Sequence, residues 1–529
     1  LSFRKDLKLS GDQLAILVGG SANKKLFEMA YDNKSSEFTN IIGEYQKDDE
    51  PDHESESFGS ESSADLLDEI VDSDIDYQDY DALNLDTVIA SPKARDLLFA
   101  PIVTCTVDHI IQASECKRGG KYIAPMLRLL SSDLILDEPD DFDQADLPAL
   151  SRLMHLAGLF GTRVLLSSAT LTPDLVTGLF EAYMEGRKLF NQSQNKPVPK
   201  VVCAWFDEQP KAMLSKQCMD VKEFQSTHEK FCEQRATYLS RQPVRRKADI
   251  LAFKSQYTKD KASQFYSKLA QTLIDAAVDL HDKHHETVLH NKKSNTSVLA
   301  SIGLIRIANI TSINSSSMQL FNANGVSIPE DTIIHVACYH AKQLLLLRNS
   351  LENKLDKILD RSAPNGSIFD HTEINQAISD NPAKNHIFMV LATPVAEVGR
   401  DHDYDWAIVE PSSMRSIIQL AGRVWRHRPD KVADTSNMLL LQYNLRYFKY
   451  PNAKRPIFTH PGFETTQFKP PSYDLSQIMP QKQLAQVDAR ARIQAPKHAK
   501  IETLSDLEHS VMHHLLNNPK LNYINAYWD

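Results

Sequence analysis

The sequence predicts an α/β protein of two parallel-sheet halves, the first incomplete at its N-terminus, followed by the start of a C-terminal domain. Three observations predict it. Leu134, Ile135 and Leu136 form an apolar run that stops at Asp137–Glu138–Pro139–Asp140. A buried central strand of a parallel sheet looks like this where it reaches the ligand-binding edge. Apolar spacing over Ala145–Phe160 is helical and leads to a second short strand, Thr162–Leu166, which makes a βαβ unit with a right-handed crossover. The alternation resumes at Ser297–Ser312, Thr332–Tyr339 and His386–Thr393, giving the second half.

The bulk composition is that of an ordinary globular chain: 529 residues, 42% hydrophobic and 24% charged. That length predicts two to four domains. No run approaches the roughly 18 apolar residues of a membrane span, and no signal peptide is visible. Six cysteines are scattered without CxxC or zinc spacing, which points to a reducing cytoplasm. The net charge of −10 speaks superficially against nucleic acid, but it is unevenly spread. Glu44 to Asp86 holds seventeen acids and one lysine, a net −16, so the remainder carries about +6 and a basic groove is allowed.

Taken in order, the chain enters mid-pattern without a start methionine, and Leu14 to Val18 reads as its first strand. The acidic, serine-rich stretch, bounded at 40–90, cannot bury enough apolar surface to offset its ordering entropy and is predicted to be a mobile insert. It reads as a solvated loop, with nucleic-acid mimicry as the alternative. A strand over Ile102–Cys105 is followed by Thr106, Asp108 and a helix start. The first domain is placed at 1–190. The second, 197–445, opens on the strand in PKVVCAWFDE and contains a polar, helical insert at 209–295. Proline-rich loops and a helix at Thr503–Leu516 then begin a C-terminal accessory domain, 446–529.

The chemistry collects at strand ends. Nucleotide hydrolysis needs one acid to hold Mg²⁺ through its water shell and another to orient the attacking water. Asp137 and Glu138 fit those roles; an ordinary strand ending in a solvated acidic turn is the alternative. Past the strand at Phe388–Leu391, Thr393, Glu397, Gly399 and Asp401 follow in ATPVAEVGRDHDYD. In SIIQLAGRVWRHR, Gln419, Arg423 and Arg426 lie at i, i+4 and i+7 and are predicted to share one helix face. Such a face suits a triphosphate, with an arginine as the finger on the γ-phosphate; a surface ion-pair helix is the alternative.

In this order the motifs resemble those of the superfamily 2 helicases. The resemblance implies two RecA-like domains with ATP between them and single-stranded nucleic acid across the top. Asp137 and Glu138 resemble motif II, and Ser168 and Thr170 resemble motif III, which couples hydrolysis to domain movement. Thr104, Thr106 and Asp108 resemble the motif Ib region that touches the strand's backbone. Thr393, Glu397, Gly399 and Asp401 match motif V, and Gln419, Arg423 and Arg426 match motif VI, with Arg423 as the finger. TVDHI, DEPDDFD, SSATLTPDL, YHAK, QLAGRVWRHR, LHDKHHE and DLEHSVMHH narrow it to a look of the CRISPR-associated helicase–nucleases of type I-F interference systems. That implies a bacterial, cytoplasmic ATP-dependent DNA helicase, using ATP and Mg²⁺, that acts with an RNA-guided surveillance complex on single-stranded DNA. The sequence contains no G-x-x-x-x-G-K-[ST] phosphate cradle; the family carries it, with a metal-dependent HD nuclease, N-terminal to the region seen here. A non-catalytic module that binds DNA and the complex is therefore one alternative, and a different superfamily 2 repair helicase is another.

Other signals read more blandly. His281 and His285 are one helical turn apart, but HExxH fails at Leu289, so a polar helix with several histidines is expected. His402–Asp403 falls inside motif V and is not read as a nuclease pair. Trp205 reads as core, while Trp425 is left open between core and base stacking. Arg245–Arg246–Lys247 reads as a solvated face, with phosphate contact as the alternative.

Overall fold

The computed structural model describes residues 14–17, 92–115, 122–142, 146–209, 213–291, 296–320, 325–362, 367–397, 401–450, 455–459, 461–496, 498 and 500–517. The acidic insert and Gly399 lie outside these residues. The architecture is mixed α/β in two units: one takes 1–167 and 178–201, the other 168–177 and 202–522. Segment 446–522 is part of the second unit.

In the first unit, strand β1 (Leu14–Leu17) pairs in parallel with β2 (Ile102–Cys105), and β3 (Leu134–Asp137) with β4 (Val164–Ser167). Helices α1 (Pro92–Phe99), α2 (Asp108–Glu115), α3 (Ile123–Ser131) and α4 (Leu147–Phe160) are interleaved with them, and α5 (Pro173–Ser193) follows. The expected strand and helix at the acid pair are present, but β3 is not buried on both faces. Leu134 and Leu136 are buried, whereas Ile135 is 64% exposed. Its only strand partner among the described residues is β4, so the apolar run is covered on one side alone. Helices α4 and α5 meet at backbone distance. A Cβ on Gly158 would stand 2.1 Å from the Tyr183 carbonyl oxygen, and one on Gly186 would stand 2.0 Å from that of His155.

The second unit is built on a seven-stranded sheet. Its order is β10 (Thr332–Tyr339), β11 (Asn385–Ala392), β9 (Thr296–Arg306), β12 (Trp406–Val409), β13 (Met438–Leu441) and β7 (Ala248–Leu251), all parallel. Strand β8 (Glu286–Asn291) pairs antiparallel with the first half of β9. This is the parallel sheet that the second α/β half predicts. Strands β5 (Val201–Phe206) and β6 (Met213–Cys218) form a separate pair. The predicted helical insert is thus partly wrong. Helices α6 (Val221–Ser240) and α7 (Ala262–His284) lie there, but so do β6, β7 and β8. Strand β7 (ADIL) is only four residues long and follows the basic Arg245–Lys247 cluster, so it does not announce itself; pairing with β13 makes it a strand.

Helix α7 buries Phe265, Leu269, Leu273, Ala276, Ala277 and Leu280 against the sheet, an i, i+4 stripe set by the helical period. Further helices are α8 (Ile310–Leu320), α9 (Leu345–Ile358), α10 (Thr372–Asp380), α11 (Met414–Ala421) and α12 (Leu504–Asn517). Gly303 in β9 faces the indole of Trp406, where a Cβ would come within 2.3 Å of three ring atoms. Trp406 is fully buried and donates its Nε1–H to Ser301 Oγ at 3.1 Å. Gly303→Ala is therefore expected to destabilise the second unit by about 3 kcal/mol through overpacking, read as a lowered melting temperature that Trp406→Leu in the same chain partly restores. An unchanged melting temperature would refute the close approach.

Candidate nucleotide and nucleic-acid site

At the end of β3 the backbone turns sharply. Asp137 is in register with Ser167 of β4, and the Glu138 amide donates to the Ser167 carbonyl at 2.7 Å. Glu138 itself is left-handed, at φ 47° and ψ 53°, which costs a non-glycine residue roughly 1–2 kcal/mol. Pro139 starts a single 3₁₀ turn closed by the Asp141 amide on the Glu138 carbonyl at 2.9 Å. The surroundings thus over-determine a strained residue, a pattern found at functional positions. The Asp137 side chain is exposed at the strand tip, and Asp140 is buried. Thr104 and Thr106 are exposed, the first on β2 and the second just after it, and Asp108 opens α2. These acids and hydroxyls belong to the first unit.

Ser168 and Thr170 belong to the second unit. The Thr170 amide donates to Ser168 Oγ at 3.1 Å, and the Thr170 side chain is buried.

The C-terminal edge of the large sheet carries a buried polar knot. Arg306, the last residue of β9, is fully buried, with Nε 2.9 Å from Glu397 Oε1, an ion-pair contact rather than a directed hydrogen bond. Its Nη1 donates to Ser412 Oγ at 2.8 Å and its Nη2 to Ser416 Oγ. Ser416 Oγ in turn donates to Glu397 Oε1 at 2.7 Å. Arg423 Nη2 donates to the Glu397 carbonyl at 2.9 Å. The Glu397 side chain is therefore spent inside the protein, ordering the loop after β11 against α11. Thr393, at the start of that loop, is buried, its amide on the Tyr339 carbonyl at 3.2 Å.

The predicted helix face is corrected here. Helix α11 ends at Ala421 with Gly422 as its cap, so Gln419 is helical while Arg423 and Arg426 are not. Val424 bridges to Tyr404, and Trp425 turns left-handed at φ 51°. Strand-like pairing wins because the Tyr404 amide takes the Arg423 carbonyl at 2.9 Å and the Trp425 amide takes the Tyr404 carbonyl at 3.0 Å. Trp425 is 4% exposed against the His284 ring, which settles it as core. Arg245 and Arg246 are not a solvated face either. Arg246 Nε donates to the Val424 carbonyl at 3.0 Å, and Arg245 Nη2 donates to those of Trp425 and Arg426. Burial pulls the Arg246 guanidinium down to about 10. Arg426 is half-exposed and paired with Asp401, which also lies 3.2 Å from His427 Nε2. Partial burial would raise the Asp401 carboxyl, but Arg426 and His427 bring it below the usual carboxylate range.

Behind this loop sits a second buried charge cluster that the sequence reading missed. Asp405 accepts from the Ile302 amide at 2.8 Å, from Arg361 Nη1 at 2.7 Å and from Arg428 Nη1 at 2.6 Å. Arg428 also donates to Asp403 through Nη2 at 2.6 Å and Nε at 3.1 Å. Burial alone would raise the Asp405 carboxyl, but the two arginines hold it well below its ordinary value. His402 contacts Asp356 at 2.9 Å and Tyr404 Oη at 3.1 Å, so it is a packing residue of this loop. His281 is buried on Ser301 Oγ at 2.8 Å, and among the described residues no group of three or more His, Cys, Asp or Glu could hold a metal. No helix of the described residues is long and apolar enough to cross a membrane.

Residues 299–429 match the family model for the C-terminal region of the CRISPR-associated nuclease/helicase Cas3. The chain is 40% identical over 522 residues to the CRISPR-associated nuclease/helicase Cas3 subtype I-F/YPEST of Pectobacterium atrosepticum, covering 97% of this chain and 44% of that protein. Over nearly its whole length the chain is thus similar to this subtype of Cas3. The Pseudomonas aeruginosa Cas3 of the same subtype is 41% identical, over 94% of this chain and 43% of its own length. The chain thus spans less than half the length of these curated Cas3 relatives. Among solved structures, an ADP complex of T. fusca Cas3 aligns over 97% of this chain and 49% of its own, at 14% identity and a TM-score of 0.48. The Cas3-family match brackets β9 to the Arg428 loop, the region where the two buried knots lie.

Proposed function

We propose that this chain is the motor part of an ATP-dependent single-stranded DNA translocase acting in CRISPR interference, with an RNA-guided surveillance complex as its partner. The observation that carries the reading is the acid pair at the end of β3. Asp137 is exposed there, with no side-chain partner among the described residues, and Glu138 is held in a strained turn by Ser167. An exposed carboxylate at the carboxyl end of a parallel strand suits a hydrated Mg²⁺, so the acid side of a nucleotide site fits. Bound ATP and Mg²⁺ would supply the phosphoanhydride and the cation that neutralises its charge. Asp137 would hold the cation's water shell, and Glu138 would orient the attacking water. Ser168, Thr170, Asp401 and Gln419 would line the nucleotide side, with Gly399, which lies outside the described residues. Arg423 would stabilise the phosphoryl charge, with Arg426 beside Asp401 as a more exposed cation. Thr104, Thr106 and Asp108, at the end of β2 and the start of α2, would meet the DNA backbone, as would Thr393 at the start of the loop that Glu397 orders from within.

The relatives' printed names, nuclease/helicase, support this reading. Its test is ATP hydrolysis by the full-length protein with and without single-stranded DNA. Stimulation of at least about tenfold is expected, since turnover in such motors depends on closure around both ligands. DNA binding without any hydrolysis would favour the binding-module alternative instead.

A further inference from the structure

Residues 490–509 contribute nothing to the reactions proposed above, yet they hold two of the segments involved. Arg492 lies on a single helical turn, Arg490–Ile493, and Glu508 lies on α12; each side chain is 1% exposed. They pair through Nη1 and Oε2. Arg492 Nε reaches further, donating to the Thr170 carbonyl at 2.9 Å. The other Glu508 oxygen, Oε1, accepts from the Met414 amide and lies 3.4 Å from the Arg415 amide. Those amides open α11, the helix that carries Gln419 and leads into Arg423. Burial pushes the Glu508 carboxyl up, opposed by Arg492, the Met414 amide and Arg415. Every one of its partners is a donor, so the contacts need the carboxylate form.

A buried ion pair is weak evidence for stability, since a well-packed apolar pair often does as well. What an apolar pair could not do is fix two backbone segments by directed bonds. Here the pair is clamped on Thr170 at one end and on the start of α11 at the other. Smaller contacts brace it. His509 Nε2 is 3.2 Å from the Ala491 carbonyl, Ser505 Oγ donates to that carbonyl, and Arg235 Nη1 lies 3.4 Å from the Ala169 carbonyl. The chain passes from the first unit to the second between Ser167 and Ser168, and the Ser167 carbonyl is the acceptor of the Glu138 amide.

We propose that Arg492 and Glu508 are positioning residues that lock segment 168–172 and the start of α11 into one rigid body. A backbone displacement at Ser167 is then passed directly to the helix leading to Arg423. The inference rests on the translocase reading above. Both side chains are buried, and neither is among the nucleotide- or DNA-contacting residues proposed above.

The test uses the full-length protein and reads ATP consumed per nucleotide translocated. Arg492→Met and Glu508→Gln are each expected to raise that ratio about fivefold or more, because severing a coupling element changes coupling and not binding. Hydrolysis itself is expected to stay within about threefold, a split that a merely structural defect does not produce. The double variant is expected to be no worse than either single one, because the two residues act as a unit. An unchanged ratio, or additive effects in the double variant, would overturn the proposal. Should Arg492→Met fail to fold, Arg492→Lys, which keeps the charge but reaches only one of the two partners, carries the test through amide exchange. Exchange at Met414–Ser416 and at 168–172 is expected to rise together; a rise at only one of them sinks the lock. Failure of the translocase reading shows separately, as wild-type protein whose hydrolysis does not respond to single-stranded DNA. The exchange readout still decides the lock in that case.

Discussion

Glu138→Gln is expected to stop ATP turnover while single-stranded DNA is still bound. Glutamine has the shape of glutamate and the same tolerance for the left-handed backbone at this position. The bond that fixes the turn, Glu138 amide to Ser167 carbonyl at 2.7 Å, is made by the main chain and survives the change. What is lost is a carboxylate able to take a proton from water. Removing such a group costs roughly 10²–10⁴-fold in rate, or about 3–5 kcal/mol of barrier at 1.36 kcal/mol per tenfold. Asp137 is untouched, so nucleotide binding is expected to persist, and the exposed Thr104 and Thr106 are untouched, so DNA affinity is expected to stay within about twofold. Steady-state hydrolysis and DNA anisotropy on the full-length variant measure both. Turnover within tenfold of wild type would remove Glu138 from the chemistry.

Much of this framework was legible in the sequence, for a physical reason. An apolar run that ends in acids, or that resumes every thirty residues or so, reflects local patterning, and β2, β3, β11 and α4 fell within a residue or two of their predicted places. The contacts that arrange the site are different in kind. Arg306 meets Ser416 across 110 positions and Arg492 meets Thr170 across 322, and no spacing rule reaches that far. Arg306 alone gave a signal, as a lone charge closing an apolar strand. Helix α11 shows the limit from the other side. Gly422 is compatible with a continuing helix, so i, i+4, i+7 looked sound, and only the pairing of Val424 with Tyr404 ends it. Arg245 and Arg246 looked solvated because basic clusters usually are; the carbonyls of a left-handed turn at Trp425 gave them buried partners instead.

Arg423→Ala is the second large effect, and the structure gives it two competing meanings. As a phosphate-contacting group, Arg423 would supply charge in the transition state, and its loss is expected to cost roughly 10³-fold or more in turnover, as for arginine fingers generally. As a loop clamp, it would act through its Nη2 bond to the Glu397 carbonyl at 2.9 Å. Losing that bond would leave a buried acceptor short of a donor, at a cost of about 1–3 kcal/mol in stability. Arg423→Lys separates the two. Lysine keeps a positive charge and one donor but not the planar fork, so a clamp role predicts near-complete rescue of both melting temperature and turnover. A phosphate role predicts rescue of the melting temperature with turnover still depressed by at least about tenfold. The second pattern is expected, because the chain already secures this loop by other means: Ser416 on Glu397, Arg428 on Asp403, and Arg246 on the Val424 carbonyl. Arg426→Ala is the internal comparison, being half-exposed and paired with the surface carboxylate Asp401. If it, and not Arg423→Ala, abolished hydrolysis, the finger would be Arg426, and the buried Arg423 would be left with the clamp role alone.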